Sequence, residues 1–142
     1  MARNMRMVVA LFCLLAVLLA PGQAVFASEV DIEYPVAPMM TYIDDYTISF
    51  GIKNGEAYVE AWVDGNPLDA TRAKVIAELQ VKSGSNWIPV AIWTADEDFY
   101  TAEVDETHDV VSGHTYRVKG TFMVWEGSAS ETEISYSDEI TA

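Results

Sequence analysis

From Tyr46 onward apolar and polar residues alternate with a period of two, and this constrains the fold more than any other feature. Tyr46, Ile48, Phe50 and Ile52 are interleaved with Thr47, Ser49 and Gly51. Ala57, Val59, Ala61 and Val63 follow on one parity, then Val75, Ala77, Leu79 and Val81. Ile88, Val90 and Ile92 continue the pattern, as do Tyr100, Ala102 and Val104, then Tyr116, Val118, Phe122 and Val124, and last Ile134 and Tyr136. A period of two places every second side chain on one face of a strand, so each segment has one face to bury.

The punctuation agrees. Asn54-Gly55 is a strong hairpin signal, because both residues accept the positive φ of a type I′ turn. Asp64-Gly65-Asn66-Pro67 and Ser83-Gly84-Ser85-Asn86 are further turns. An earlier alternation, Val30, Ile32 and Tyr34 among acids, stops at Pro35. Seven or eight strands with turns about every ten residues give an all-β expectation, an antiparallel β-sandwich. A helical reading of Asp69 to Lys82 competes, since Ala, Arg and Glu favour helix there, but the alternation favours strand.

The N-terminus follows a different rule. Arg3 and Arg6 precede 14 apolar residues, Met7 to Ala20, and Pro21-Gly22 then breaks the run. A spanning helix needs about 20 such residues. Val25-Phe26-Ala27 puts small residues where a signal peptidase reads. Residues 1–27 are therefore expected to be a secretory signal peptide cleaved after Ala27, with Ala24 as a second choice, and residues 28–142 a single domain. Cys13, the only cysteine, lies inside the apolar run, so the exported chain would hold no disulfide and depend on its core. The expected destination is extracellular, free or at the cell surface.

Charge narrows the partners. The 142 residues carry 22 acidic and 8 basic side chains, a net charge of −14. Removing the leader leaves six basic residues against all 22 acids, or −16. A chain so acidic is repelled by nucleic acid and by anionic membrane surfaces, and nothing after the leader calls for membrane insertion. At 51% apolar residues it is too hydrophobic for a disordered acidic tail.

Gly113-His114-Thr115-Tyr116-Arg117-Val118 resembles the entry to strand F of fibronectin type III and related immunoglobulin-like domains. The resemblance implies a tyrosine corner, in which the Tyr116 hydroxyl bonds back to the preceding loop. The layout is also similar to small exported proteins of unknown function from Gram-positive bacteria, through Leu79-Gln80 with Trp87 and the Tyr116-to-Gly120 strand. Neither likeness implies a ligand or an activity.

Catalytic chemistry finds little support in the residues. Gly-x-Ser-x-Gly is missing, and the two histidines fall in unremarkable company. His108, among Asp105, Glu106 and Asp109, reads as part of a solvated loop, and His114 sits beside the glycine turn. Their spacing matches no zinc pattern. Calcium is the least implausible ion, with Asp96, Glu97 and Asp98 as weak candidates in a loop between strands, yet the Asp-x-Asp-x-Asp-Gly loop is missing. Counter-ions screening an acidic loop explain the same residues, so no cofactor and no enzymatic activity are expected.

The aromatics carry the functional expectation. Tyr58, Trp62, Trp87, Trp93 and Trp125 all have the parity opposite to their strands' apolar face. Outward rings on a sheet can stack on sugars or anchor a protein. A β-bulge would reverse the parity of any one of them, and Arg117 and Lys119 are long enough to cover outward rings. The expectation is a secreted, non-enzymatic binding or adhesion module acting on an unknown protein or polysaccharide. The alternative is a carbohydrate-binding module with an aromatic face, assisted by calcium.

Overall fold

The computed structural model describes residues 40–142. The expected signal peptide, its expected cleavage site and the Val30-to-Tyr34 alternation lie outside the described residues. The described chain is all-β and antiparallel, with eight strands: β1 (Ile43–Lys53), β2 (Glu56–Gly65), β3 (Arg72–Ser83), β4 (Asn86–Glu97), β5 (Thr101–Asp109), β6 (Thr115–Glu126), β7 (Ala129–Tyr136) and β8 (Ile140–Thr141). The segment around Asp69 to Lys82 is strand, as its alternation requires, because a helix would have spread those apolar side chains around its circumference.

Two sheets form. One has the order β1-β2-β5; the other has the order β4-β3-β6-β7, with β8 continuing along β6 beyond β7. The β1–β2 hairpin closes through Asn54 (φ 55°) and Gly55 (φ 81°), the left-handed pair the sequence supplies. The inward rows meet in one core. Ala57, Val59, Ala61 and Val63 of β2 face Ala73, Val75, Ala77 and Leu79 of β3, with Val118, Phe122 and Val124 of β6. Phe122 stacks on Tyr46 with ring centroids 4.7 Å apart.

Two strands depart from simple alternation. In β4 the pairing with β3 slips between Leu79 and Gln80, which oppose Ala91 and Pro89 and leave Val90 as the extra residue. Parity therefore reverses across Val90. Ala91, Trp93 and Ala95 pack on the core, and Ile92 is 56% exposed. In β7 the register with β6 turns Ile134 and Tyr136 outward. Glu131, on the inward parity, reaches the start of β1, where its carboxylate accepts the backbone N–H groups of Thr41, Tyr42 and Ile43 at 2.7–3.1 Å.

The turn before β6 is closed by a side chain. The Val111 backbone N–H donates to the Tyr116 hydroxyl at 2.9 Å, and Tyr116 itself is buried. Ser137 interrupts the run from β7 to β8. Its Oγ accepts the Val118 N–H at 2.8 Å, and its own N–H reaches the Val118 carbonyl at 2.9 Å.

Candidate functional site

Strand register assigns each aromatic to a face. On β2, Tyr58 and Trp62 point outward from the three-stranded sheet, four residues and about 13 Å apart. Tyr58 is 45% exposed, and Trp62 is half-buried between Thr47 and Glu103 of the neighbouring strands. Beside Tyr58 lies a shallow groove of about 350 Å³. Gly51 leaves its floor open, and Ser49, Glu60 and Asp105 line it. The Tyr58 hydroxyl donates to Glu56 at 3.0 Å, and this bond raises its pKa above the ordinary phenol value.

Trp87 and Trp125 point outward from the other sheet. They pair with Lys82 and Arg72 at opposite ends of β3, about 33 Å apart along the strand. Trp93 differs from the outward reading: the bulge at Val90 turns it inward, where it packs against the core. The five aromatics thus occupy both outer faces and the interlayer. Only Tyr58 and Trp62 share a neighbourhood.

Parity sorts charge as well. The outer face of the three-stranded sheet carries Asp45, Glu56, Glu60, Asp64, Glu103, Asp105 and Asp109 against one cation, Lys53. The outer face of the other sheet carries Arg72, Lys74, Lys82, Arg117 and Lys119, with Glu78 and Asp96 among them. Five of the six cations among the described residues therefore share one face.

These cations cover the indoles. Arg72 lies 4.4 Å from the Trp125 ring centroid and gives Nε and Nη2 to both oxygens of Asp96, at 2.7 and 2.6 Å. Arg117 lies between two rings, 4.2 Å from Trp87 and 4.4 Å from Tyr136. Its Nε donates to Gln80 Oε1 at 2.9 Å. Gln80 in turn donates to Glu78, which also pairs with Lys119 at 3.2 Å. That Arg117 covers outward rings was legible in the sequence; that Trp87 and Tyr136 are the two rings it lies between was not. The signal was there in part, since Arg117 has the outward parity of Trp125 on the same strand.

The ion candidates are dispersed. Asp96 and Glu97 end β4 instead of lying in a loop, because β4 runs to its full length against β3. Asp96 turns outward and is held by Arg72 and by Lys74 at 3.3 Å. The Arg72 hydrogen bond is the main reason its pKa falls to about 2. Among the described residues, no three His, Cys, Asp or Glu side chains gather as a metal site would need. Asp105, Glu106, His108 and Asp109 are likewise strand residues of β5, and His108 sits half-buried with its ring edge-on to Trp93 at 6.2 Å. No protein-family model, curated protein or solved structure matches the chain.

Proposed function

We propose that the chain is an exported, non-enzymatic binding module of fibronectin type III or immunoglobulin-like type that meets its partner with an outer sheet face. The strand order β1-β2-β5 against β4-β3-β6-β7 supports that fold type. So does the Tyr116 hydroxyl bonded to the loop before its strand, as in a tyrosine corner. The binding reading rests on one observation: Tyr58 and Trp62 stand on the same outward face, with an open groove beside Tyr58. Rings held on a rigid strand offer large contact area with little conformational entropy to lose. The partner is a protein or a polysaccharide.

The groove beside Tyr58 favours a second reading, a carbohydrate-binding module, since a sugar ring stacks on an aromatic face while its hydroxyls bond to flanking carboxylates. Binding of the full chain to immobilised polysaccharides and to extracellular proteins of its host tests both. Tyr58→Ala is expected to abolish binding while melting shifts by less than about 3 °C, the scale of an exposed-site change, and Trp62→Ala to abolish it with a larger fall, since its ring is half-buried. Binding that survives both substitutions removes the proposal. Retention on polysaccharide alone selects the second reading.

A further inference from the structure

We propose that Arg117, clamped between Trp87 and Tyr136, is the anchor of an anion-binding face that recognises the carboxylates of a uronic-acid polysaccharide. This site lies on the five-stranded sheet and is independent of the Tyr58–Trp62 face.

The argument begins with what Arg117 does not bind. Arg72, the other arginine among the described residues, is saturated by both oxygens of Asp96. Arg117 has no carboxylate within salt-bridge distance among the described residues, although the chain has 22 acidic residues. The nearest carboxylate along its network is engaged elsewhere: Glu78 takes Lys119 and the Gln80 amide. Only Nε of Arg117 is used, by the neutral Gln80 oxygen. Both terminal nitrogens are left without a protein acceptor among the described residues. Two ring faces hold the guanidinium plane in place, so the entropy of ordering it is lost on folding rather than on binding. A planar fork with a free edge matches a carboxylate in two parallel hydrogen bonds.

The surroundings choose the ligand class. Lys82 and Lys119 flank the clamp: Lys82 is tied to Glu139 by an exposed pair that exchanges at little cost, and Lys119 to Glu78 by a half-buried one. Lys74 and Arg72 lie further along β3 toward Trp125, where both are held by Asp96 and leave Lys82, Arg117 and Lys119 as the row next to the clamp. A row on two adjacent central strands suits a linear polymer with repeating charge. Peptides bind sheets by adding to an edge or entering a groove. Here the edge strand β4 carries Pro89 and a bulge, and the run from β7 to β8 is broken at Ser137. A sugar acid needs neither an edge nor a groove: its ring lies flat along the sheet beside the clamp and its carboxylate reaches the free edge of Arg117. The chain's net negative charge does not forbid this. The acidic face is on the far side of two sheets packed about 10 Å apart, plus side chains on both, and at physiological salt charges are screened over about 8 Å.

Calorimetric titration tests the assignment, using the full chain purified as its host produces it, at 20 and 150 mM salt. The probes are polygalacturonate, alginate, dextran, poly-glutamate and single-stranded polythymidylate. Both polyuronates are expected to bind, more weakly at the higher salt, and dextran not to bind. Arg117→Gln is expected to weaken polyuronate binding at least tenfold, and Arg117→Lys to restore little of it, since an ammonium lacks the fork. Trp62→Ala is expected to leave it unchanged, which separates this site from the one proposed above. Circular dichroism of each variant establishes that it is folded, and Tyr136→Ala serves as a second variant if Arg117→Gln is not. The proposal is overturned by no polyuronate heat, by equal binding in the folded variants, or by tighter binding of poly-glutamate or polythymidylate.

Discussion

Glu131 is expected to hold the first strand in place, and replacing it with alanine isolates that role. Its carboxylate accepts three successive backbone N–H groups, from Thr41, Tyr42 and Ile43. The amides of Thr41 and Tyr42 lie near solvent, so losing their acceptor costs about 0.5 kcal/mol each once water replaces it. Ile43 is different, because the residue is 2% exposed and its amide has no easy route to water. An orphaned buried donor costs about 1–3 kcal/mol. The total for Glu131→Ala is then about 2–4 kcal/mol, or a fall in melting temperature of about 9–18 °C for a domain of this size. Calorimetry or thermal circular dichroism at pH 7 reads it directly. Melting within 2 °C of the parent would refute the reasoning and show the three amides to be hydrated at no cost.

The same carboxylate predicts a pH dependence. Burial alone would raise its pKa, but the hydrogen bonds from Ile43, Tyr42 and Thr41 together more than offset this and leave it below the ordinary value of 4.5. A folded-state pKa below the unfolded one means that the folded state binds the proton less readily. The contribution is therefore present in full above about pH 4.5 and is lost as pH falls through the folded value. Glu131→Gln keeps one acceptor oxygen and no titration. Its stability deficit is expected to be about half that of alanine at pH 7 and to shrink as pH falls below 4.5.

Two further outcomes follow from local geometry. A Cβ on Gly65 would sit 2.6 Å from Val124 Cγ1 and 2.9 Å from the Ala70 Cβ, so Gly65→Ala is expected to destabilise by about 1–3 kcal/mol in urea titration. Gly51→Ala, where a Cβ meets open space, serves as the control and is expected to stay within about 0.5 kcal/mol. Asp96 is expected to titrate near 2 by NMR, because Arg72 and Lys74 favour its charged form. Arg72→Gln should move that midpoint up toward 3.8, and no movement would mean the pair is not formed in solution.

How far the sequence could be read depended on whether a feature was local. Strands β1 to β7, the Asn54-Gly55 turn and the inward rows of β2, β3 and β6 follow from alternation and turn chemistry within a few residues and are present, whereas β8, two residues long, has no alternation to read. Tryptophan 93 was misread because one extra residue reverses a strand's parity, and Val90 looks like any other apolar position in the list of letters. Pro89, lacking an N–H to give the ladder, was the one local hint that pairing there would be irregular. Ile134 and Tyr136 mark β7 by their alternation, but it is Glu131's parity that faces inward on that strand, and its carboxylate is satisfied by three amides some 90 residues away, a partnership no local pattern contains.

The charged face shows the same division between local and distant information. On β3 the cations Arg72, Lys74 and Lys82 share even numbers, and on β6 Arg117 and Lys119 share odd ones, so each strand's outward row was legible by itself. That the two rows form one surface depends on β3 lying beside β6, a pairing across roughly 40 residues. The Arg117 clamp needs still more, since Trp87 comes from β4 and Tyr136 from β7, on opposite flanks of that central pair. A guanidinium between rings from two different strands is fixed only when all four strands are in register. It is therefore a product of the whole sheet: a one-residue slip of β4 or β7 would turn one ring to the opposite face and release the arginine to the nearest carboxylate.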